Sequence, residues 1–132
     1  MKFENVLLID DDEIYNLLHT RILYHTRMVS TIWTSYNGEE AIAFLTDFYE
    51  QHKTLPSMIL LDIDMPVMDG FQFLNAFKKL NLPDTEKVNI LLVTSSNDPR
   101  DADKARSLGI KHYLVKPVEL DVMTGVLLSL EV

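Results

Sequence analysis

Apolar and polar positions follow two rhythms along this chain. Short runs rich in apolar and β-branched residues, at Phe3 to Ile9, Met28 to Thr34, Met58 to Leu61, Val88 to Val93 and Lys111 to Val115, have strand length. Between them apolar residues recur at helical spacing. The first helical stretch runs to about Tyr24, with Ile14, Leu17, Leu18, Ile22 and Leu23 as its apolar positions. Asp12 is placed to cap it, and Glu13 favours its first turn. Ser35 to Gly38 reads as a turn. Glu39 to about Tyr49 reads as a helix with Ala41, Ile42, Phe44, Leu45 and Phe48 inward, followed by a polar connection to Pro56. Phe71 to Leu80 is amphipathic, and Asn81 to Lys87 is a loop containing Pro83. Asn97-Asp98-Pro99 opens a helix that Gly109 stops, although polar residues outnumber apolar ones within it. Glu119 to about Leu130 is the last helix.

Five strands thus alternate with five helices, with no repeat or linker between them. This alternation predicts an α/β fold, a doubly wound five-stranded parallel sheet with right-handed crossovers and helices on both faces. A single domain over residues 1–132 is the expectation. Met58 to Leu61 is continuously apolar, as expected of a strand buried on both faces.

Composition narrows the function classes. There is no Cys, which removes disulfides and thiolate metal sites. No apolar run approaches the roughly 18 residues of a membrane span, and the N-terminus has too short an apolar stretch for a signal peptide. No membrane association and a cytoplasmic location are the expectations. The net charge is −8 and the twelve basic residues are scattered, which disfavours direct nucleic-acid binding. The acidic excess is either a solvated surface or partly gathered to hold a cation.

Candidate chemistry lies at the strand ends. All strands of a parallel sheet present their C-termini on one edge, and ligands bind there. The first strand ends at Asp10 and Asp11, the third at Asp62, the fourth at Thr94 and the fifth at Lys116. Asp62 is followed by Asp64, then by Pro66 and the Asp69-Gly70 turn. Taken singly, each motif is ordinary: three aspartates before a helix are commonly capping and solvated charge, and Thr94-Ser95-Ser96 and Lys116-Pro117 are common loop sequences. Together they make a set. Carboxylates within about 5 Å repel by roughly 3 kcal/mol per pair at an effective dielectric of about 20, so they must protonate, spread apart or bind a cation. Oxygen ligands without His or Cys point to Mg²⁺. A lysine and a hydroxyl beside a nucleophilic carboxylate are parts for phosphoryl transfer through an aspartyl phosphate.

Leu8-Ile9-Asp10-Asp11-Asp12, Leu61 through Gly70, Val93-Thr94-Ser95 and Tyr113-Leu114-Val115-Lys116-Pro117 stand in the order and at the spacing of the receiver domains of two-component response regulators. The chain resembles that family from Val6 to the last helix. The resemblance implies a flavodoxin-like (βα)5 fold with strand order 2-1-3-4-5. It implies Asp62 as phosphoacceptor, Asp11 as the main metal carboxylate with Asp10 assisting, and the backbone carbonyl of Asp64 as a further Mg²⁺ ligand beside Asp62. Thr94 would bind a phosphoryl oxygen, Lys116 would pair with Asp62 and then with the phosphoryl group, and Tyr113 would be the aromatic switch. The Lys116–Pro117 bond is expected to be cis. By the same resemblance, Asp64 and Ser96 would tune phosphoryl lifetime.

The resemblance further implies a phosphorylation-controlled switch in a phosphorelay, a signalling protein rather than an enzyme. Its donor would be a sensor histidine kinase or a histidine phosphotransfer protein, and its downstream protein partner is not specified. Output would run through the face of the fourth helix, fifth strand and fifth helix, with Lys104, Leu108, His112, Tyr113 and Met123 as candidates and Met123 read as packing. Either a stand-alone receiver or a truncated longer protein is expected, as a monomer or a phosphorylation-dependent dimer. Two alternatives stand beside this reading: a receiver-like binding module that works without phosphate, and a phosphatase of haloacid-dehalogenase type, suggested by Asp62-Ile63-Asp64. In that phosphatase type the acidic pair follows the lysine, whereas here it precedes. The histidines (His19, His25, His52, His112) are expected to be solvated.

Overall fold

A computed structural model of the chain describes residues 1–95 and 98–131. Its elements run β1 (Phe3–Ile9), α1 (Glu13–His25), β2 (Val29–Ser35), α2 (Gly38–His52), β3 (Met58–Leu61), α3 (Gly70–Lys78), β4 (Asn89–Thr94), α4 (Pro99–Ser107), β5 (His112–Val115) and α5 (Leu120–Ser129). A 3-10 turn at Thr85–Lys87 lies inside the expected loop before β4. The strands form one parallel sheet in the order β2-β1-β3-β4-β5. The expected flavodoxin-like topology is the observed one.

Alternation along the strands builds two cores. Leu7, Ile9, Ile59 and Leu61 point to one face and pack with Ala41 and Leu45 of α2, Phe73, Leu74 and Phe77 of α3, and Ala105 of α4. Val6, Leu8, Met58 and Leu60 point to the other, against Leu23 of α1 and Met123 and Leu127 of α5. Each fully buried side chain of this size contributes roughly 1.5–3 kcal/mol. Met123 is fully buried, as its reading as packing requires. Ala105 is the one buried residue of α4, in keeping with that helix's polar sequence.

The first helix departs from expectation. Its apolar residues Ile14, Leu17 and Leu18 are exposed, Ile14 by 76%, while Asn16, His19 and Leu23 face the core. The helix is fixed by the Asp12 cap, whose side chain accepts from the Ile14 and Tyr15 amides. That start sets the rotation of the helix, and positions 16, 19 and 23 then share the inward face. His19, expected to be solvated, is 4% exposed, because the helix rotation carries it under the sheet edge. Other boundaries shift by one to three residues: β2 extends through Ser35, and Asn37 caps α2, which begins at Gly38 and runs to His52.

The connection from β3 to α3 shapes the site edge. The Met68 amide donates to the Pro66 carbonyl at 2.8 Å, with Val67 between them at φ +69°. A γ-turn with positive φ is strained, and more so for a β-branched residue. Val67 is 78% exposed, so its side chain offers little compensation. Val67→Gly is therefore expected to raise stability by about 1 kcal/mol, read as a higher urea midpoint at unchanged m-value. An unchanged or lower midpoint would count against the strain.

Candidate functional site

The parallel ladders continue one residue beyond β1 and β3 and thereby aim the acidic side chains. The Asp10 amide donates to Ser35 at 3.1 Å and the Asp62 amide to Ile9 at 2.9 Å. Asp10 and Asp62 are both buried, and Asp11 is exposed beside them. One carboxylate oxygen from each of the three lies within 4.8 Å of the others. Lys116 arrives from β5, its amide held by the Thr94 carbonyl at 2.7 Å. The bond to Pro117 is cis.

The lysine ammonium sits between the two buried carboxylates, 2.6 Å from Asp10 and 3.4 Å from Asp62. The expected pairing with Asp62 is thus the longer of two. Asp10 is oriented for the shorter one, because its Oδ1 already accepts the Asp12 amide at 2.9 Å while Oδ2 meets the lysine. The Asp10 carbonyl also accepts from Asn16 Nδ2 at 2.9 Å. Asp62 Oδ1 accepts the Asp64 amide at 3.4 Å, and the Asp64 side chain is exposed. Thr94 is fully buried at the end of β4. Tyr113, half-buried in β5, packs against the core shared by α2, α3 and α4. Ser96 lies outside the described residues.

The electrostatics follow from burial. Burial first, then the Asp10 charge, push the Asp62 carboxyl up to about 7, against the opposing pull of Lys116. For Lys116, burial disfavours the ammonium, but the hydrogen bond to Asp10 and the Asp62 and Asp10 charges outweigh it, so its pKa is raised. One ammonium among three carboxylates leaves the pocket short of positive charge. Oxygen donors this close, two of them buried, suit a hard cation such as Mg²⁺.

Gly70 allows the approach of α3. A Cβ there would lie 2.5 Å from the Asp62 carbonyl oxygen and 2.9 Å from Ile63 Cα. The Gly70 amide donates to the Ile63 carbonyl at 2.8 Å. In the sequence Gly70 reads as a turn residue at the end of the Leu61–Gly70 motif, with no sign of this close approach. Sequence reasoning also missed Tyr15, Asn16 and His19, which line the site from α1. Counting back in helical steps from the core residue Leu23 gives His19 and Asn16, and that was the available signal.

The profile of the family described as "Response regulator receiver domain" matches residues 6–127. A crystal structure of a two-component response regulator from Cytophaga hutchinsonii is 35% identical with a TM-score of 0.86, over 96% of this chain and 95% of that one. A protein-glutamate methylesterase/protein-glutamine glutaminase of Desulfotalea psychrophila is 30% identical across 90% of this chain and 30% of that protein. A probable C4-dicarboxylate response regulator of Halalkalibacterium halodurans is 28% identical across 96% of this chain and 50% of that protein. The chain spans half or less of the length of these two curated relatives.

Proposed function

The chain belongs to the response regulator receiver domains, and from that premise we propose that it is a signalling switch set by phosphorylation of Asp62. The observation that carries this reading is the convergence of Asp10, Asp11, Asp62 and Lys116 on one sheet edge. In the proposed reaction an oxygen of ionised Asp62 attacks the phosphorus of a phosphohistidine. The O–P bond forms as the P–N bond breaks, and the leaving imidazole keeps the electron pair and takes a proton from solvent. Lys116 pairs with the transferred group, and the Thr94 hydroxyl donates to one of its oxygens. Asp10, Asp11 and Asp62, with the Asp64 carbonyl, would hold Mg²⁺. When bound, the cation offsets the charge of the carboxylates and the phosphoryl oxygens. Tyr113 then repacks, and the face formed by α4, β5 and α5 changes. The exposed Asp64 side chain is placed to influence attacking water and so the lifetime of the signal.

The donor is proposed to be a histidine kinase or histidine phosphotransfer protein. Exposed apolar side chains at the same sheet edge, Ile14, Leu17 and Val67, suit a protein donor that buries them. No helix among the described residues is long and apolar enough to cross a membrane. The esterase activity named for the Desulfotalea protein belongs to a chain of which this one matches 30%. Here the reading is a phosphoacceptor, not a turnover enzyme.

Intact mass after incubation with acetyl phosphate and Mg²⁺ tests the proposal. The wild type is expected to gain one base-labile phosphoryl group and Asp62→Asn none. No gain on the wild type, or an equal gain on the variant, would sink it.

A further inference from the structure

The face of α1 that the apolar pattern did not reveal lies directly beneath the acidic site. Tyr15 and His19, one helical turn apart, stack with ring centroids 5.9 Å apart and planes inclined by 20°. The Lys116 ammonium lies 4.4 Å from the centroid of the Tyr15 ring. The His19 Nε2 accepts from the Val118 amide at 3.5 Å. One helix turn therefore touches the residues on both sides of Pro117. Lys116 and Val118 are each met by a ring, and the two rings brace each other.

We infer that Tyr15 and His19 are positioning residues that clamp the turn from β5 to α5 and hold the Lys116 ammonium over the carboxylates. The lysine side chain has four rotatable bonds and two carboxylates to choose between. The Tyr15 face removes part of that freedom by a cation–π contact in a desolvated setting. A histidine nitrogen that accepts a backbone N–H must be unprotonated, and burial with the nearby Lys116 charge lowers the His19 pKa in that direction, against the weaker pull of Asp10. The clamp gains its consequence from the proposed phosphoryl transfer, in which Lys116 must follow charge from Asp62 to the incoming group. Small misplacement of such a group slows transfer without abolishing it.

Conservative and disruptive variants separate this role from plain packing. Tyr15→Phe keeps the ring, and His19→Gln keeps an acceptor for the Val118 amide. Tyr15→Leu and His19→Leu keep apolar bulk but lose those contacts. Phosphorylation rates with acetyl phosphate at saturating Mg²⁺ are expected to stay within about twofold of wild type for the first pair and to fall roughly tenfold for the second. The Mg²⁺ midpoint should stay unchanged, since no carboxylate is touched. The Lys116 Hε resonances report the geometry independently of chemistry. They should be shifted upfield by the Tyr15 ring current in wild type and Tyr15→Phe, and lose that shift in Tyr15→Leu. Wild-type rates in both leucine variants, or a Lys116 signal indifferent to Tyr15→Leu, would overturn the clamp. A wild type that gains no phosphoryl group would instead remove the acceptor reading of Asp62, and the ring-current shift would still decide the clamp.

Discussion

Asp62→Asn is expected to stabilise the metal-free protein at pH 8 by about 2–4 kcal/mol, although the same substitution removes the proposed phosphoacceptor. The Asp62 carboxyl is raised from the ordinary 3.8 to about 7 by burial and the Asp10 charge. The folded state therefore holds a proton that the unfolded chain has already released. Below the ordinary value both states are protonated and the group contributes nothing. As pH rises from about 4 towards 7 the unfolded carboxylate ionises first, so stability falls, and above about 7 the full cost is present. A shift of about three units corresponds to at most about 4 kcal/mol at 1.36 kcal/mol per unit. Asparagine keeps the shape without the charge. Lys116 loses one carboxylate partner but keeps the shorter contact to Asp10, which returns part of the gain. Urea melts in chelator at pH 4 and pH 8 test this. The advantage of the variant should vanish near pH 4, and saturating Mg²⁺ should narrow the gap at pH 8. Equal midpoints at pH 8 would show that the buried carboxylate carries no such cost.

Gly70→Ala is expected to destabilise the fold by about 3 kcal/mol and to slow phosphorylation of what remains folded. The added methyl meets the Asp62 carbonyl oxygen at 2.5 Å and Ile63 Cα at 2.9 Å, both backbone atoms. No rotamer change relieves that contact. Either α3 moves off the sheet, breaking the capping box of Asp69 and Gln72, or the end of β3 shifts and takes Asp62 with it. Gly125→Ala provides the contrast. It lies within α5, and nothing stands within 4 Å of its added Cβ, so replacing it should stabilise by about 0.5–1 kcal/mol through helix propensity. Urea midpoints for the two variants should move in opposite directions. A Gly70→Ala protein as stable as wild type would mean that the α3 approach is not tight.

Asp62→Asn and Gly70→Ala act on one segment, Asp62 through Gly70, yet only part of their effect is visible in that segment's sequence. Asp62 as a strand-end carboxylate is legible because the continuous apolar run Met58 to Leu61 ends there. Its raised pKa is not, because it depends on burial by the assembled fold, on the charge of Asp10, 52 positions earlier in the numbering, and on the opposing pull of Lys116, 54 later. Gly70 as a turn residue is legible, but its contact with the Asp62 carbonyl needs the path of the whole connection.

The sequence alone determined the alternation of strands and helices, because periodicities of two and of 3.6 are local properties of the chain. With parallel topology, that alternation brings Asp10, Asp11, Asp62, Thr94 and Lys116 to one edge whatever the details of packing. Only the tertiary structure decided which face of α1 is buried. Its apolar residues suggested Ile14 and Leu17, but the cap and the sheet above turned Asn16 and His19 inward. Only the tertiary structure decided that Lys116 sits closer to Asp10 than to Asp62, and that Tyr15 lies beneath it. Those outcomes are set by distances of a few ångströms between residues remote in the chain. Electrostatic and steric energies change steeply over such distances, and no local pattern encodes them.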